Sequence, residues 1–223
     1  MSNSFVTLQN VSLAYGKTVA VSNLDLNVRK GELIALLGPS GCGKTTTMRA
    51  IAGLMSLHSG SISIDGVDMS RTPANKRGIG LVFQSYALFP HLNAFENVAF
   101  GLRIKKFSTP EITTRVDRGL TMVGLSHLAE RKPEEMSGGQ QQRLSLARSL
   151  VMEPKVLLLD EPLSNLDARL RLEMRTELQR VQRDTGITMI FVTHDQSEAL
   201  ALADRIVLMK NGVIEQLGTP DDL

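Results

Sequence analysis

Gly-Pro-Ser-Gly-Cys-Gly-Lys-Thr, residues 38–45, is the stretch that decides the fold of this chain. It fits the pattern G-x-x-x-x-G-K-[ST] of a phosphate-binding loop, or P-loop. The apolar run at 33–37 predicts a buried parallel strand before it, and helical spacing of apolar residues through 46–55 predicts a helix after it. The motif requires this order of strand, loop and helix. The sequence therefore predicts that the loop N–H groups and the helix N-terminus hold phosphate groups.

The side chains of the loop predict the rest of a nucleotide site. Lys44 is expected to reach the β- and γ-phosphates of a nucleotide, and the Thr45 hydroxyl to ligate Mg²⁺. Cys42 is the only cysteine, so no internal disulfide is expected. It is either a small residue at a variable position or a thiol whose alkylation would block the nucleotide. The nucleotide-binding residues predicted here are Gly38, Pro39, Ser40, Gly41, Cys42, Gly43, Lys44, Thr45 and Thr46.

Length and composition set the class of protein. The 223 residues are 42% hydrophobic and 22% charged, which fits one large domain, or a domain with a subdomain. A net charge of +2 does not indicate a nucleic-acid binder. No uncharged apolar run approaches the roughly 20 residues of a membrane helix. Residues 1–4 lack the features of a secretory signal.

The periodicity of the chain predicts an α/β fold with two additions. Residues 5–28 alternate as two antiparallel strands, and Asp65-Gly66 and Asn211-Gly212 mark further hairpins. Residues 85–152 are instead dominated by helical periodicity, and Asn93 with Glu96 resembles a capping box at the first of these helices. We therefore predict an α/β core with an antiparallel β subdomain (1–84 and 153–223) and an inserted α-helical subdomain (85–152).

Polar residues follow three predicted core strands, where the ligand crevice of an open α/β sheet lies. Asp160 and Glu161 close a buried strand, as the metal-side carboxylate does in P-loop NTPases. Asp160 is predicted to hold Mg²⁺ and Glu161 to act as general base, although a helix-capping acid pair is the alternative. Gln84 and His194 follow two further core strands. A lone histidine is more often structural, but a neutral imidazole there could bond the γ-phosphate and the attacking water.

Three other stretches allow two interpretations on local grounds. Tyr15 is either a sheet-edge aromatic, which the local pattern favours, or a binding residue. Ser85–Leu92 is unusually apolar for a connection and is equally a piece of core or an exposed docking surface. Ser137 to Gln140 opens a helix with small residues, which is weak evidence for a second phosphate site.

Taken together, these stretches resemble the nucleotide-binding subunit of an ABC transporter, over nearly all of the chain. Met136-Ser-Gly-Gly-Gln140 carries the resemblance, because it is similar to the L-S-G-G-Q signature, with Met replacing Leu. The resemblance implies a P-loop NTPase (RecA-like) core and an active ATPase. It also implies that Tyr15 stacks on adenine, that Gln84 is a ligand of Mg²⁺ and water, and that His194 is the switch histidine. It further assigns Asp160 to Walker B, Glu161 to the catalytic base and 164–167 to the D-loop.

The resemblance also implies partners. Two copies would pair head-to-tail, with each ATP between one P-loop and the partner copy's Ser137, Gly138, Gly139 and Gln140. Ser85–Leu92 would receive transmembrane permease subunits at the cytoplasmic face of the inner membrane, with a periplasmic substrate-binding protein outside. Residues 84–91 and 166–170 look like importers of polyamines, iron, phosphonates or sugars. Such subunits usually continue into a C-terminal regulatory domain. That domain is absent from this chain, which stops at Leu223 either because it is truncated or because the natural subunit is short. A soluble non-transport ABC ATPase and an exporter subunit are the alternatives.

Overall fold

The computed structural model describes residues 4–223. Residues 1–3, where the sequence predicts no secretory signal, lie outside the described part. In chain order the elements are β1 (Ser4–Tyr15), β2 (Thr18–Arg29), β3 (Leu33–Leu37), α1 (Lys44–Ala52), β4 (Ser59–Ile64), β5 (Val67–Asp68), β6 (Ile79–Val82), α2 (Ala94–Ile104), α3 (Thr109–Met122), α4 (Gly138–Leu150), β7 (Val156–Asp160), α5 (Ala168–Thr185), β8 (Thr188–Thr193), α6 (Gln196–Leu202), β9 (Arg205–Lys210) and β10 (Val213–Gly218). Short 3₁₀ helices lie at Ala74–Lys76, Ser126–Leu128, Pro133–Glu135 and Pro220–Asp222.

The strands form two sheets. The central sheet has six strands in the order β10-β9-β3-β8-β7-β6, and its neighbours pair in parallel except at the β10 edge. The second sheet has four antiparallel strands in the order β2-β1-β4-β5. Helices α2, α3 and α4 are inserted between β6 and β7. The predicted fold class is confirmed, while the residue boundaries of the two subdomains remain a prediction.

The central sheet is buried on both faces, with a different hydrophobic cluster on each. Ile34 and Leu36 of β3 face the cluster that α1 and the antiparallel sheet complete. Leu33, Ala35 and Leu37 face the cluster that the inserted helices and α5 complete. Since successive side chains of a strand point to opposite faces, one short strand belongs to both clusters. The inserted helices therefore share a core with the sheet.

Helix α1 is shorter than the sequence predicts. The apolar spacing predicts a helix that reaches Met55, but α1 ends at Ala52. Gly53 is left-handed (φ 78°), and its N–H bonds Ala50 O at 3.1 Å, while Leu54 N bonds Arg49 O at 2.9 Å. This C-terminal capping arrangement stops the helix. Met55 still packs against the apolar cluster, from beyond the helix end.

The predicted capping box at α2 forms only in part. The Asn93 side chain accepts a hydrogen bond from Glu96 N at 2.8 Å, as predicted. The Glu96 carboxylate, however, pairs with Arg103, two turns further along the same helix. An arginine on the same helix face thus takes the carboxylate that a capping box would use.

Arg77 caps the C-terminal end of α1 from a separate loop. Its buried guanidinium donates to Ala50 O and Ile51 O at 2.8 Å each and to Thr72 O at 2.7 Å. These bonds satisfy carbonyls that the end of a helix leaves without partners. Arg77 thereby ties the P-loop helix to the strand β6 that follows it.

Replacing Arg77 with Ala is expected to destabilise the protein by about 2–4 kcal/mol, because three carbonyls, two of them buried, lose a charged donor. The measurement is the urea unfolding midpoint, with R71A as control, since Arg71 is an exposed arginine in the same loop. Equal midpoints for R77A and R71A would contradict the capping role.

No helix among residues 4–223 is long and apolar enough to cross a membrane.

Candidate active site

The P-loop lies between β3 and α1, at the carboxyl end of a central parallel strand. Gly38 and Gly43 have φ of 154° and 103°. A Cβ on Gly38 would collide with the carbonyl oxygen of Met209, and one on Gly43 would lie 2.7 Å from Val21 Cγ2. Both positions therefore require glycine, for conformation and for space. The tight packing fixes the loop in a shape that directs N–H groups to its concave side.

The Lys44 side chain is folded over the loop. It is buried, and its ammonium donates to Gly38 O at 2.6 Å and to Pro39 O at 2.9 Å. The Cys42 sulfur lies 3.8 Å from the same nitrogen, and Cys42 is itself buried. An ammonium has three protons to donate, so phosphate oxygens can replace these carbonyls with little movement of the side chain.

The two predicted metal ligands Thr45 and Asp160 lie side by side. Thr45 Oγ1 donates to Asp160 Oδ1 at 3.2 Å, across the gap between α1 and the end of β7. A hydroxyl and one carboxylate are hard oxygen ligands that suit Mg²⁺, which usually keeps several waters and phosphate oxygens besides. No group of three or more His, Cys, Asp or Glu within residues 4–223 could hold a metal ion. The pair fits a nucleotide-bound Mg²⁺ rather than a metal held by protein alone.

Gln84, the third predicted metal ligand, is directed elsewhere. Its amide nitrogen donates to Glu161 Oε2 at 3.3 Å and to Ser164 Oγ at 3.1 Å. Asn165 Nδ2 donates to the Gln84 carbonyl at 2.9 Å and so fixes its backbone. The structure thus places Gln84 with the predicted base, and the metal role of Gln84 remains a prediction.

Burial raises the pKa of Asp160 above its ordinary value; the hydrogen bond from Thr45 and the nearby Arg49 and Lys44 lower it in part. A raised folded-state pKa means that ionised Asp160 opposes folding at pH values above that pKa. The unfavourable contribution of Asp160 to the stability of the fold therefore becomes smaller as the pH falls through the folded-state pKa.

Replacing Asp160 with Asn is therefore expected to raise the thermal midpoint at pH 7 and to lower Mg²⁺-dependent ATP turnover at least about tenfold. Asn keeps an oxygen for Thr45 but carries no charge. The measurements are thermal unfolding at pH 7 and at pH 5 and phosphate release. The stabilisation should shrink at the lower pH, and a D160N protein less stable than wild type at pH 7 would refute the argument.

Glu161 is the centre of a cluster that joins three strand ends. His194 Nδ1 lies 3.3 Å from Glu161 Oε1, opposite the contact with Gln84. The Glu161 side chain is about one quarter exposed and that of His194 more than half, so water reaches the carboxylate. Its backbone is left-handed (φ 45°), an uncommon and strained conformation for a residue other than glycine. The structure brings together Gln84, Glu161 and His194, three of the four predicted catalytic residues, whereas the Lys44 side chain contacts the P-loop.

Tyr15 and the signature segment lie outside this cluster. Tyr15 ends β1 and is 54% exposed, which leaves its ring available to a planar base. Ser137 is the N-cap of α4 and forms a reciprocal capping box with Gln140. A Cβ on Gly138 would lie 3.7 Å from Leu166, and one on Gly139 3.3 Å from Leu170. The neighbours of the signature are thus Tyr86, α5 and the turn before α5, and none of these contacts involves the P-loop.

Sequence reasoning missed the side chains that hold residues 85–92 in place. Asn97, fully buried on α2, donates to the carbonyls of Phe89, Leu92 and Asn93 and accepts from Phe89 N. Arg148 donates to Tyr86 O and Ala87 O, and its guanidinium lies 5.6 Å from the centre of the Phe89 ring. A polar residue within the apolar stripe of a helix was the available signal for Asn97.

A cavity of about 880 Å³ lies away from all these residues, among the C-terminal ends of α3, α4 and α5. None of the predicted site residues lines it. At the carboxyl ends of the parallel strands, residues 39–41 of the P-loop and both Gln84 and His194 of the Glu161 cluster are exposed. Such a surface suits a site that a second molecule covers.

A P-loop between a parallel strand and a helix, with paired acids ending a neighbouring strand, defines a P-loop NTPase. The family model described as "ABC transporter" matches residues 21–164. The chain belongs to this family.

Two similar proteins are named as import proteins. The chain is 54% identical over 218 residues to "Fe(3+) ions import ATP-binding protein FbpC" of Rhizobium etli, covering 98% of this chain and 62% of that protein. It is 52% identical over 223 residues to "Spermidine/putrescine import ATP-binding protein PotA" of Mesoplasma florum, covering 100% of this chain and 64% of that protein. The chain thus spans less than two thirds of these relatives.

Solved structures share the fold. A dimer of the ATP-binding cassette MJ0796 with ADP and Pi superposes with a TM-score of 0.84 at 34% identity, covering 96% of this chain and 98% of that one. The cbiO1 protein of Clostridium perfringens, part of the ABC transporter complex cbiONQ, gives 0.92 at 33% identity, covering 99% and 90%.

Proposed function

We propose that this chain is the ATP-hydrolysing subunit of an ABC importer and that two copies act together. The observation that carries the proposal is the convergence of Gln84 and His194 on the Glu161 carboxylate, one residue after the Asp160 that contacts Thr45. Phosphate binding, metal binding and proton acceptance then lie next to one another, as phosphoryl transfer to water requires.

In this proposal Glu161 removes a proton from the attacking water. The water oxygen bonds to the γ-phosphorus while the bond from that phosphorus to the β–γ bridging oxygen breaks, giving ADP and phosphate. Gln84 and His194 fix the two carboxylate oxygens, so the base is oriented before the water arrives. Lys44 compensates the phosphate charge. Mg²⁺, when bound by Thr45 and Asp160, supplies further neutralisation of the phosphate oxygens.

We infer that the second copy completes the site. Within one chain the Ser137–Gln140 segment contacts α5 and the turn before it, whereas the P-loop contacts β2 and β9. The cassette dimer to which this chain is similar supports a paired arrangement. In a head-to-tail dimer, the N–H groups of Gly138 and Gly139 at the start of α4 would meet the γ-phosphate held by the other P-loop. Hydrolysis would then remove contacts that hold the two copies closed.

The membrane partner is proposed to dock on Ser85–Leu92. Ala87, Pro90 and His91 are exposed, while Phe89 packs on Phe100 with ring centres 4.4 Å apart. Exposed apolar side chains nearby extend this surface: Phe83, Phe100 and Ile104. Contiguous apolar surface of this kind marks a protein interface. Docking would place the protein at the cytoplasmic face of the plasma membrane, with a periplasmic substrate-binding protein as an indirect partner.

Import of a polyamine, ferric iron, a phosphonate or a sugar is the proposed transport role. The names of the iron and spermidine/putrescine import proteins support uptake. An ATPase subunit need not touch the cargo, so substrate class is tested on the permease and binding protein rather than on this chain.

Two measurements test the proposal. The purified chain should release phosphate from ATP with Mg²⁺ and not with EDTA, and K44A should lose this activity while the exposed-site control K105A keeps it. A tagged chain should also co-purify with multi-spanning membrane proteins from detergent-solubilised membranes, and H91E should weaken this more than H127E, the control at another exposed histidine. Co-purification with ribosomes alone would favour the soluble non-transport alternative.

A further inference from the structure

Gln142 lies on α4, two residues after the signature segment, and is 2% exposed. Its amide nitrogen donates to the carbonyl oxygen of Pro162. Its amide oxygen is buried and has no hydrogen-bond partner within residues 4–223. A buried acceptor without a partner costs free energy, so the position of this glutamine requires an explanation other than packing.

The Pro162 carbonyl belongs to the turn that aims the proposed base. Glu161 directly precedes Pro162 and is left-handed, and the backbone before a proline is restricted further. A strained conformation persists only where the surroundings fix it. Glu161 N bonds Val192 O at 3.1 Å and Glu161 O accepts from Ser164 Oγ at 3.0 Å. The bond from Gln142 fixes the next carbonyl, so it completes the restraint of this turn.

Tyr86 lies along the same face of α4. Its carbonyl accepts from Ser145 Oγ at 2.9 Å, whereas its hydroxyl lies 4.0 Å from the Cβ position of Gly138. Positions 138, 142 and 145 share one helix face, so Gln142 lies on the face of α4 that Tyr86 approaches at both ends. The Tyr86 hydroxyl is also buried without a partner in the described part of the chain. A donor and an acceptor, both buried and without a partner among the described residues, thus belong to two residues on the same side of α4.

We propose that Gln142 is a positioning residue for Glu161 and that it couples the base to residues 85–92 through the hydroxyl of Tyr86. A small shift of Tyr86 lets its O–H donate to Gln142 Oε1. The new hydrogen bond then acts on the same amide group whose nitrogen donates to the Pro162 carbonyl. Helix α4 begins at the signature, which is proposed to contact the phosphate in the partner copy's site. Gln142 therefore links that contact with Glu161, the base of its own chain's site. This inference rests on the proposed ATPase function.

The principal test replaces Gln142 with Met, which keeps the volume and removes the amide. The matched control is Q141M, because Gln141 also donates to backbone carbonyls, those of Pro133 and Met136, away from Glu161. We expect Q142M to lower kcat at least about tenfold with KM for ATP within about twofold, while Q141M changes kcat less than threefold. A KM increase without a kcat loss, or equal kcat for both variants, would overturn the proposal.

Q142E separates hydrogen bonding from packing. In this variant a protonated carboxyl can donate to Pro162 O, whereas an ionised carboxylate repels it, so kcat relative to wild type should recover as the pH falls. A packing role would give a ratio independent of pH. The Tyr86 link predicts that Y86F lowers kcat several-fold in the wild type and has no further effect in Q142M, since coupled residues are not additive. Full additivity would overturn that link.

Amide hydrogen exchange tests the restraint without any turnover. Residues 161–166 should exchange faster in Q142M than in Q141M, because the turn loses a restraint. If the wild-type protein did not hydrolyse ATP, the result would count against the proposed function and not against the role of Gln142. If residues 161–166 exchanged equally fast in Q142M and Q141M, the result would count against the role of Gln142.

Discussion

E161Q is expected to bind ATP with an affinity within about twofold of wild type and to turn it over at least about 100-fold more slowly. The loss follows from the geometry of the carboxylate, whose two oxygens lie 3.3 Å from Gln84 Nε2 and 3.3 Å from His194 Nδ1. A general base contributes roughly 10²–10⁴-fold to such a rate. Gln has the same shape but does not accept a proton from water at neutral pH.

The same substitution is expected to trap a dimer. If ATP joins two copies and only hydrolysis separates them, E161Q with ATP should elute as a stable dimer in size-exclusion chromatography, and wild type with ATP should return to its starting state. The affinity is measured with fluorescent ATP and the turnover by phosphate release. E215Q is the control, because Glu215 lies on the edge strand β10 and pairs with Lys210 at the surface.

If E161Q hydrolysed ATP at the wild-type rate, the general base would have to be a group other than Glu161. His194 would be the first candidate, since it is the other titratable side chain in contact with Glu161. A protein that binds ATP and hydrolyses it slowly but does not dimerise would leave Glu161 as the base and count against the proposed dimer mechanism.

The local parts of the site could be predicted because each is a short pattern with its own physical context. The P-loop is defined by glycines at fixed spacing, and Asp160-Glu161 by the end of an apolar strand. These patterns depend on neighbours in sequence, and the strand ends of a parallel sheet meet at one edge. The gathering of Gln84, Glu161 and His194 follows from that rule.

The contacts between distant side chains could not be predicted in the same way. Gln142 stands in the sequence as one of three consecutive glutamines, and nothing local distinguishes the one that reaches Pro162. The Asn165 bond to Gln84 O joins residues 81 positions apart. Such bonds depend on how α4 and the D-loop pack, which is set by the tertiary fold.

Element ends show the same division between local and distant causes. Gly53 ends α1 three residues before the apolar spacing does, because a left-handed glycine stops a helix whatever follows it. That signal was local and could have been used. The pairing of Glu96 with Arg103, by contrast, competes with a capping box that the spacing alone favours. A prediction of a capping box therefore has to consider whether an oppositely charged residue on the same helix face, here Arg103, can pair with the acid instead.

The largest effect expected from pairing two copies is recovery of activity on mixing two inactive variants. K44A is expected to lose at least about 100-fold in turnover, because the phosphates lose their ammonium partner. G138D is expected to be similarly inactive, since a carboxylate would face the γ-phosphate of the partner's site. The G138D chain should fold, because a Cβ at this position meets its nearest atom at 3.7 Å and an acid suits the first turn of a helix.

In a mixed dimer one site combines an intact Lys44 with an intact Gly138, and the other site carries both defects. Random exchange of equal amounts makes half of the dimers mixed, so turnover should rise to about a quarter of the wild-type rate if the sites act independently. The measurement is phosphate release before and after the two proteins are mixed, with a mixture of K44A and E161Q as control. Both of those substitutions disable the same half of each site, so every mixed site lacks a needed residue and no recovery is expected. If the P-loop and the signature of one chain formed the site, mixing K44A with G138D would restore nothing.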